Sequence, residues 1–168
     1  MRAMSLTQPW CGLVASGLKP DENRTRTFIK REDFGKPFAL HATGEIDESI
    51  YDRIEQIDPS LRLIPEFMTS TSMAARPAPT WYRLSRITSA IIGVAEIERC
   101  AVILQGWLFD RYTRERICPV GHRRFAFGPV VYMLRNARAL PEPVPCPGKQ
   151  GFWRLSKELT ARVVGQLE

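Results

Sequence analysis

The chain has few residues of the kinds that bind metals or form disulfides. Only four of its 168 residues are cysteine and only two are histidine. The cysteines contain no Cys-x-x-Cys pair, and there is no Cys/His cluster of the kind that holds zinc. We therefore predict free, buried thiols, no metal and no cofactor.

Long apolar runs are also absent. No stretch approaches the roughly 18 apolar residues that a membrane span needs, and Arg2 is not followed by the apolar segment of a secretion signal. The composition, 44% hydrophobic and 25% charged, is that of an ordinary globular protein. We expect one domain over residues 1–168, located in the cytoplasm and without a membrane contact.

Charges of opposite sign are concentrated in different parts of the chain, whose net charge is +6. Residues 43–66 are rich in Asp and Glu, whereas residues 67–95 contain arginine and no acid, and residues 111–138 are rich in arginine. A basic surface opposite an acidic one is typical of proteins that bind nucleic acid. The alternative is that these arginines only make the surface soluble.

The most informative stretch is residues 17–24, which read GLKPDENR. Gly17 ends a short apolar segment, and Pro20 prevents that segment from continuing as a helix. Lys19, Glu22 and Arg24 therefore lie on a turn and at the start of an extended run, where side chains can converge on a cleft. The alternative is a solvated loop with an ordinary ion pair. We expect an exposed Lys19 here.

Six further segments have a recognisable order. They are SLTQPW (5–10), ALHA (39–42), IGVAE (92–96), FGP (127–129), PV (143–144) and GKQGFW (148–153). Together with the Gly-x-Lys-x-x-Glu-x-Arg pattern of residues 17–24, they resemble the ASCH domain, a relative of the PUA-like RNA-binding barrels. The resemblance covers the chain from Met1 to Trp153.

The pattern of elements predicts an α+β fold. Alternating apolar residues indicate strands over 2–6, 24–29, 37–42, 90–98 and 129–134. Helical spacing is found from Trp10 to Val14, from Ile46 to Ile57 and over residues 156–167. These elements alone do not distinguish a barrel from an open sheet. The resemblance implies a small PUA-like β-barrel with flanking helices, with the helix at about 156–167 packed on the barrel.

The candidate catalytic residues are Lys19, Glu22 and Glu96. Lys19 is the motif lysine, and Glu22 is placed to orient it or to bond a base. If Ile92 and Val94 face inward, strand alternation turns Glu96 inward too, where a buried carboxylate needs a basic partner. Solvent exposure of Glu96 is the alternative.

The candidate nucleic-acid-binding residues are polar, basic or aromatic. Arg24 can bind a phosphate in bidentate fashion or brace Glu22. Trp10 can stack on a base or belong to the core. The full set comprises Ser5, Gln8, Trp10, Lys19, Arg24, Arg123, Arg124 and Lys149.

Two classes of function follow. The first is a module that binds single-stranded RNA or a modified nucleoside. The second is an enzyme, because some ASCH relatives hydrolyse N4-acetylcytidine and others cleave RNA. Glu22 stands where the small acetylcytidine hydrolases carry a hydroxyl group, which weakens the amidohydrolase analogy. A third possibility, a small-molecule or protein-interaction domain, is disfavoured by the basic asymmetry. Protein partners are not predicted.

Overall fold

A six-stranded mixed sheet is the centre of the fold. The computed structural model of the chain describes residues 1–63, 78–102, 122 and 124–168. Its strands are β1 (Arg2–Gln8), β2 (Asp21–Arg24), β3 (Pro37–Ile46), β4 (Ala90–Val102), β5 (Val130–Pro145) and β6 (Phe152–Arg154). Its α-helices are α1 (Trp10–Ala15), α2 (Ser49–Ile57), α3 (Thr80–Ser85) and α4 (Lys157–Val164). Short 3₁₀ turns occur at Arg31–Asp33 and Pro59–Leu61.

The strands are ordered β2-β5-β4-β3-β1-β6 in the sheet. Strands β1 and β3 run parallel, and the other neighbouring pairs are antiparallel. The predicted α+β class is confirmed. Closure into a barrel is not confirmed, because β2 and β6 are the two edges of the sheet and do not pair with each other in the described residues.

Both faces of the sheet are covered, which explains why its central strands read as continuous apolar runs. Met4 and Phe38 lie on the face that packs against α1, in one apolar cluster with Val14. Their neighbours Ala3 and Ala39 lie on the opposite face, in a cluster with Val163 of α4. Helix α4 begins where the Ser156 side chain accepts a hydrogen bond from the Leu159 N–H.

Helix α1 lies in very close contact with α3. A Cβ atom on Gly12 would lie 2.6 Å from the backbone nitrogen of Ser85, so only glycine fits there. The buried Gln8 joins the same elements: its Oε1 accepts from the Gly12 N–H, and its Nε2 donates to the carbonyls of Leu84 and Ile87. These contacts fix the end of β1 and the start of α1, from which the motif turn follows.

Candidate functional site

The motif turn connects the end of α1 to β2. Gly17 has φ +80°, the left-handed conformation that commonly ends a helix. The N–H groups of Leu18 and Lys19 then both bond to the Leu13 carbonyl, at 3.0 and 3.2 Å. Pro20 accepts a hydrogen bond from Leu134 of β5 at 2.7 Å. This geometry folds Lys19 back under the helix instead of letting it extend into solvent.

Lys19 is buried, with only 2% of its surface exposed, so the expectation of an exposed lysine is wrong. Its ammonium donates to the backbone carbonyl of Asp21 and lies 3.4 Å from Oε2 of Glu22 and 3.9 Å from Oδ1 of Asp21. The same nitrogen is 5.7 Å from the centroid of the Trp10 ring. Two carboxylates and an aromatic face thus replace the water that a buried cation loses.

Asp21 is the residue of this cluster that the sequence analysis missed. It is completely buried, and its carboxylate oxygens have no hydrogen-bond partner among the described residues. Burial raises the pKa of Asp21 to about 6, with Lys19 opposing the shift and the Glu22 carboxylate adding to it. Asp21 lies within the motif, but nothing in its local sequence distinguishes a buried Asp from an exposed one.

Arg24 braces the site, which is one of the two roles left open by the sequence. Its Nε lies 3.0 Å from Oε1 of Glu22, and its Nη2 donates to the backbone carbonyl of Ser5 at 2.8 Å. Its guanidinium also lies 5.4 Å from the centroid of the Phe28 ring. The side chain is still 24% exposed, so one part of it remains accessible to a ligand.

These residues line a cavity of about 330 Å³, which we call the motif cavity. Lys19, Glu22 and Arg24 lie on one side, the Trp10 ring forms a wall, and Arg53 of α2 lies at its border. The remaining lining residues are Ser5, Leu6, Thr7, Asn23, Phe127 and Gly128. The convergence of the three motif side chains on one cleft therefore agrees with the prediction from their spacing.

Asn23 builds the opposite wall and was also missed. Its Oδ1 accepts from the N–H groups of Phe127 and Gly128 at 2.8 and 3.0 Å, and its Nδ2 donates to the Phe125 carbonyl. Asn23 thereby holds the Phe-Gly-Pro segment (127–129) against β2. Arg53 stacks over the Phe127 ring at 5.3 Å and was hidden in the acidic block.

Glu96 does not lie in this cavity, and the prediction that it meets Lys19 or Arg24 is wrong. Its carboxylate lies 2.9 Å from Nε of Arg135, and Glu96 lines a different cavity, together with Val94 and Leu167. The register of β4 against β5 shifts between Ile91 and Gly93, so Ile92 and Val94 belong to apolar clusters on opposite faces. Glu96 lies on the same face as Val94, because both residues come after the bulge. Alternation counted from Ile92 without the bulge predicts the opposite face.

The remaining candidate nucleic-acid-binding residues lie in different parts of the structure. Ser5 and Trp10 line the motif cavity, whereas Gln8 is fully buried in the α1–α3 contact and is not a ligand contact. Arg124 forms an ion pair with Asp58, Lys149 lines an adjoining cavity, and Arg123 lies outside the described residues.

The described residues contain no group of three or more His, Cys, Asp or Glu side chains that could hold a metal ion. Cys11, Cys100 and Cys146 are free thiols; Cys11 and Cys146 are buried as expected, whereas Cys100 is only half-buried. None of the helices in the described ranges has the length and apolar character required to cross a membrane.

Comparison with known proteins establishes the fold. No protein-family model matches the sequence, and no curated protein matches it. The crystal structure of ASCH from Zymomonas mobilis is similar over 98% of this chain and 93% of that chain, with a TM-score of 0.52 and 17% identity. A mutant of the same protein, ZmASCH, gives a TM-score of 0.50 and 18% identity, over 98% of this chain and 94% of the other.

The chain therefore has the ASCH fold, and the resemblance carried by its ordered segments is confirmed at the level of the fold. At such identities the likeness concerns the path of the backbone. Function must be argued from the side chains of the site itself.

Proposed function

We propose that this ASCH-fold domain binds one base of a single-stranded RNA, or of a modified nucleoside, in the motif cavity. The observation that carries the proposal is the combination of an aromatic wall with an excess of cations. Lys19, Arg24 and Arg53 face a single lining carboxylate, Glu22, next to the Trp10 ring. Stacking on an aromatic side chain together with cationic groups is how proteins hold unpaired bases.

The size of the cavity supports a small planar ligand. Its volume of about 330 Å³ is at the lower end of the range of about 300–1,000 Å³ that is usual for ligand sites. Glu22 offers a carboxylate to the donors of a base edge, and Asn23 is occupied in holding the wall. A larger cavity of about 740 Å³ beside β6 and α4 is lined by four basic side chains (Arg2, Lys36, Arg154 and Lys157) and two acidic ones (Glu32 and Asp33), but it contains none of the motif residues.

Replacing Trp10 tests this proposal. We expect Trp10→Leu to weaken binding of the cognate ribonucleoside or short RNA by about fivefold or more, because aromatic–base stacking contributes on the order of 1–3 kcal/mol. Isothermal titration with the four ribonucleosides, N4-acetylcytidine and a short mixed RNA measures the change. Tyr82→Leu, at another half-buried aromatic that does not line the cavity, is the matched control. Equal binding by wild type and Trp10→Leu contradicts the stacking role.

A hydrolase remains the alternative function, and one observation favours it. Lys19 shares a buried site with Glu22 and with Asp21, whose pKa of about 6 suits proton exchange near neutral pH. Such a set could cleave RNA or an N-acylated cytidine. Glu96 lies in a different cavity, so Asp21 is the second carboxylate of this alternative, and because Asp21 does not line the motif cavity it acts through Lys19.

Turnover by wild type and Lys19→Met separates enzyme from binder. Methionine keeps most of the side-chain volume of Lys19 and removes the amine, so folding is perturbed less than by alanine. If the domain is catalytic, cleavage of single-stranded RNA or deacetylation of N4-acetylcytidine falls by at least about tenfold in Lys19→Met. If it only binds, purified wild type shows no turnover of either substrate. Turnover that persists unchanged in Lys19→Met excludes Lys19 from the chemistry.

A further inference from the structure

A second cavity of about 410 Å³ adjoins the motif cavity. The two share three lining residues, Ser5, Thr7 and Arg24, so they lie side by side along one surface. We call the second one the loop cavity, because the segment from Gly148 to Gly151 forms one of its sides. Its other lining residues are His41, Thr43, Gly44 and Ser89.

The floor of the loop cavity is firmly built and uncharged. The His41 ring is buried, and burial lowers its pKa, which favours the neutral form. Because the Cys146 carbonyl can only accept, Nε2 of His41 carries the proton and donates to it at 3.1 Å. A Cβ atom on Gly148 would lie 2.4 Å from Cε1 of His41, so the backbone of the loop rests directly on the ring.

Ser5 fixes the loop to β1. Its hydroxyl donates to the Lys149 carbonyl at 2.7 Å and accepts from Nε1 of Trp153 at 3.1 Å. The carbonyl of Lys149 is thus turned inward, toward the sheet, while its ammonium extends over the Trp153 ring at 6.0 Å. The loop is therefore held in position by its contacts with His41 and Ser5.

The loop cavity contains one cation and one hydroxyl group that have no hydrogen-bond or ion-pair partner among the described residues. Lys149 has no carboxylate partner among the described residues, and the lining of the cavity includes no Asp or Glu. The Thr43 Oγ1 atom is buried and has no hydrogen-bond partner in the described part of the chain. Arg24, at the border of the two cavities, adds a second positive charge. A lining of this kind suits an anion with hydroxyl groups, such as a sugar phosphate.

We propose that the loop cavity binds the phosphate and ribose of the nucleotide next to the one whose base occupies the motif cavity. Lys149 contacts the phosphate, Arg24 lies near the link between the two nucleotides, and the Thr43 hydroxyl bonds to the sugar-phosphate backbone. The inference rests on the proposed function and makes it narrower, since the ligand is then an oligonucleotide and not a free nucleoside.

Titrations with matched probes test the inference. The probes are the four ribonucleosides and the corresponding homodinucleotides of adenosine, cytidine, guanosine and uridine. For wild type we expect the preferred dinucleotide to bind about tenfold more tightly than its nucleoside, because a phosphate and a second sugar add contacts. Lys149→Ala abolishes most of the difference in affinity between dinucleotide and nucleoside, and it leaves the affinity for the nucleoside unchanged. Thr43→Val, which keeps the side-chain shape, reduces the gain in the same direction.

The controls separate this inference from the proposed function. Lys36→Ala removes an exposed lysine of the larger cavity and leaves both affinities unchanged if the effect is local. If wild type binds the nucleoside and the dinucleotide equally well, or if Lys149→Ala weakens both by the same factor, the loop cavity is not a subsite. If wild type binds neither probe nor a longer RNA, the proposed function itself fails.

Discussion

At the scale of single residues, the site is defined by an imbalance of buried charge. One ammonium, that of Lys19, serves two carboxylates, and the Arg24 guanidinium compensates only the outer one, Glu22. Asp21 is left with an ion-pair distance of 3.9 Å and no hydrogen bond among the described residues. A buried carboxylate in that position is destabilising when ionised, so its protonation state is coupled to folding.

The pH dependence of stability follows from the pKa of Asp21. Burial raises this pKa from its ordinary value of 3.8 to about 6. Between about pH 4 and pH 6 the folded state therefore binds a proton that the unfolded state has released, and the free energy of unfolding falls as pH rises through this window. In Asp21→Asn this contribution is absent. Relative to wild type, the free energy of unfolding of the variant should increase by up to about 3 kcal/mol between pH 4 and pH 7.5.

Urea denaturation at a series of pH values measures this difference. Asp52→Asn, which removes an exposed acid of α2, is the matched control and should follow the wild-type profile. Because all other titrating groups are common to the proteins, their contributions cancel in the comparison. Parallel profiles for wild type and Asp21→Asn would show that Asp21 is not perturbed by burial.

At the scale of secondary-structure elements, the turn at the motif could be predicted from the sequence. Gly17, Pro20 and the apolar stripe of α1 are local signals, and local signals determine where a helix ends. The convergence of Lys19, Glu22 and Arg24 on one cleft could be predicted for that reason. The burial of Lys19 could not, because it depends on the packing of Trp10 and on β5, both brought in by tertiary contacts.

The roles of Glu96 and Gln8 show where prediction from sequence failed. The face that Glu96 occupies depends on a bulge opposite β5, and a single extra residue reverses every side chain beyond it. Gln8 was a candidate because it is polar and near the motif. Its hydrogen bonds to Leu84 and Ile87 come from a segment more than 70 residues away, as the separations of 76 and 79 show.

At the scale of the whole molecule, many of the basic side chains are already paired with acids. Arg2, Arg62, Arg86, Arg124 and Arg135 each have a carboxylate partner. Arg53 and Lys149, which line the two neighbouring cavities, have none in the described ranges. Because the net charge of +6 already counts the acids against the bases, it does not show which cations are available along a bound strand, and the distribution of the unpaired cations matters more than the net charge.

Salt dependence of RNA binding tests this view of the surface. A strand of about ten nucleotides that contacts two or three phosphates through the two cavities should bind with a slope of log K against log salt of about −1.4 to −2.1, since each phosphate on a single strand contributes about −0.7. Arg53→Gln should make the slope less steep by about 0.7, because Arg53 has no carboxylate partner in the described ranges and can pair with a phosphate directly. Arg124→Gln should leave the slope nearly unchanged, because Asp58 already neutralises Arg124.

Fluorescence anisotropy between about 50 and 200 mM salt measures the slopes. A flat dependence for wild type would instead favour a neutral small molecule as the ligand, and an equal effect of both substitutions would show that the ion pairs do not control which cations meet the strand.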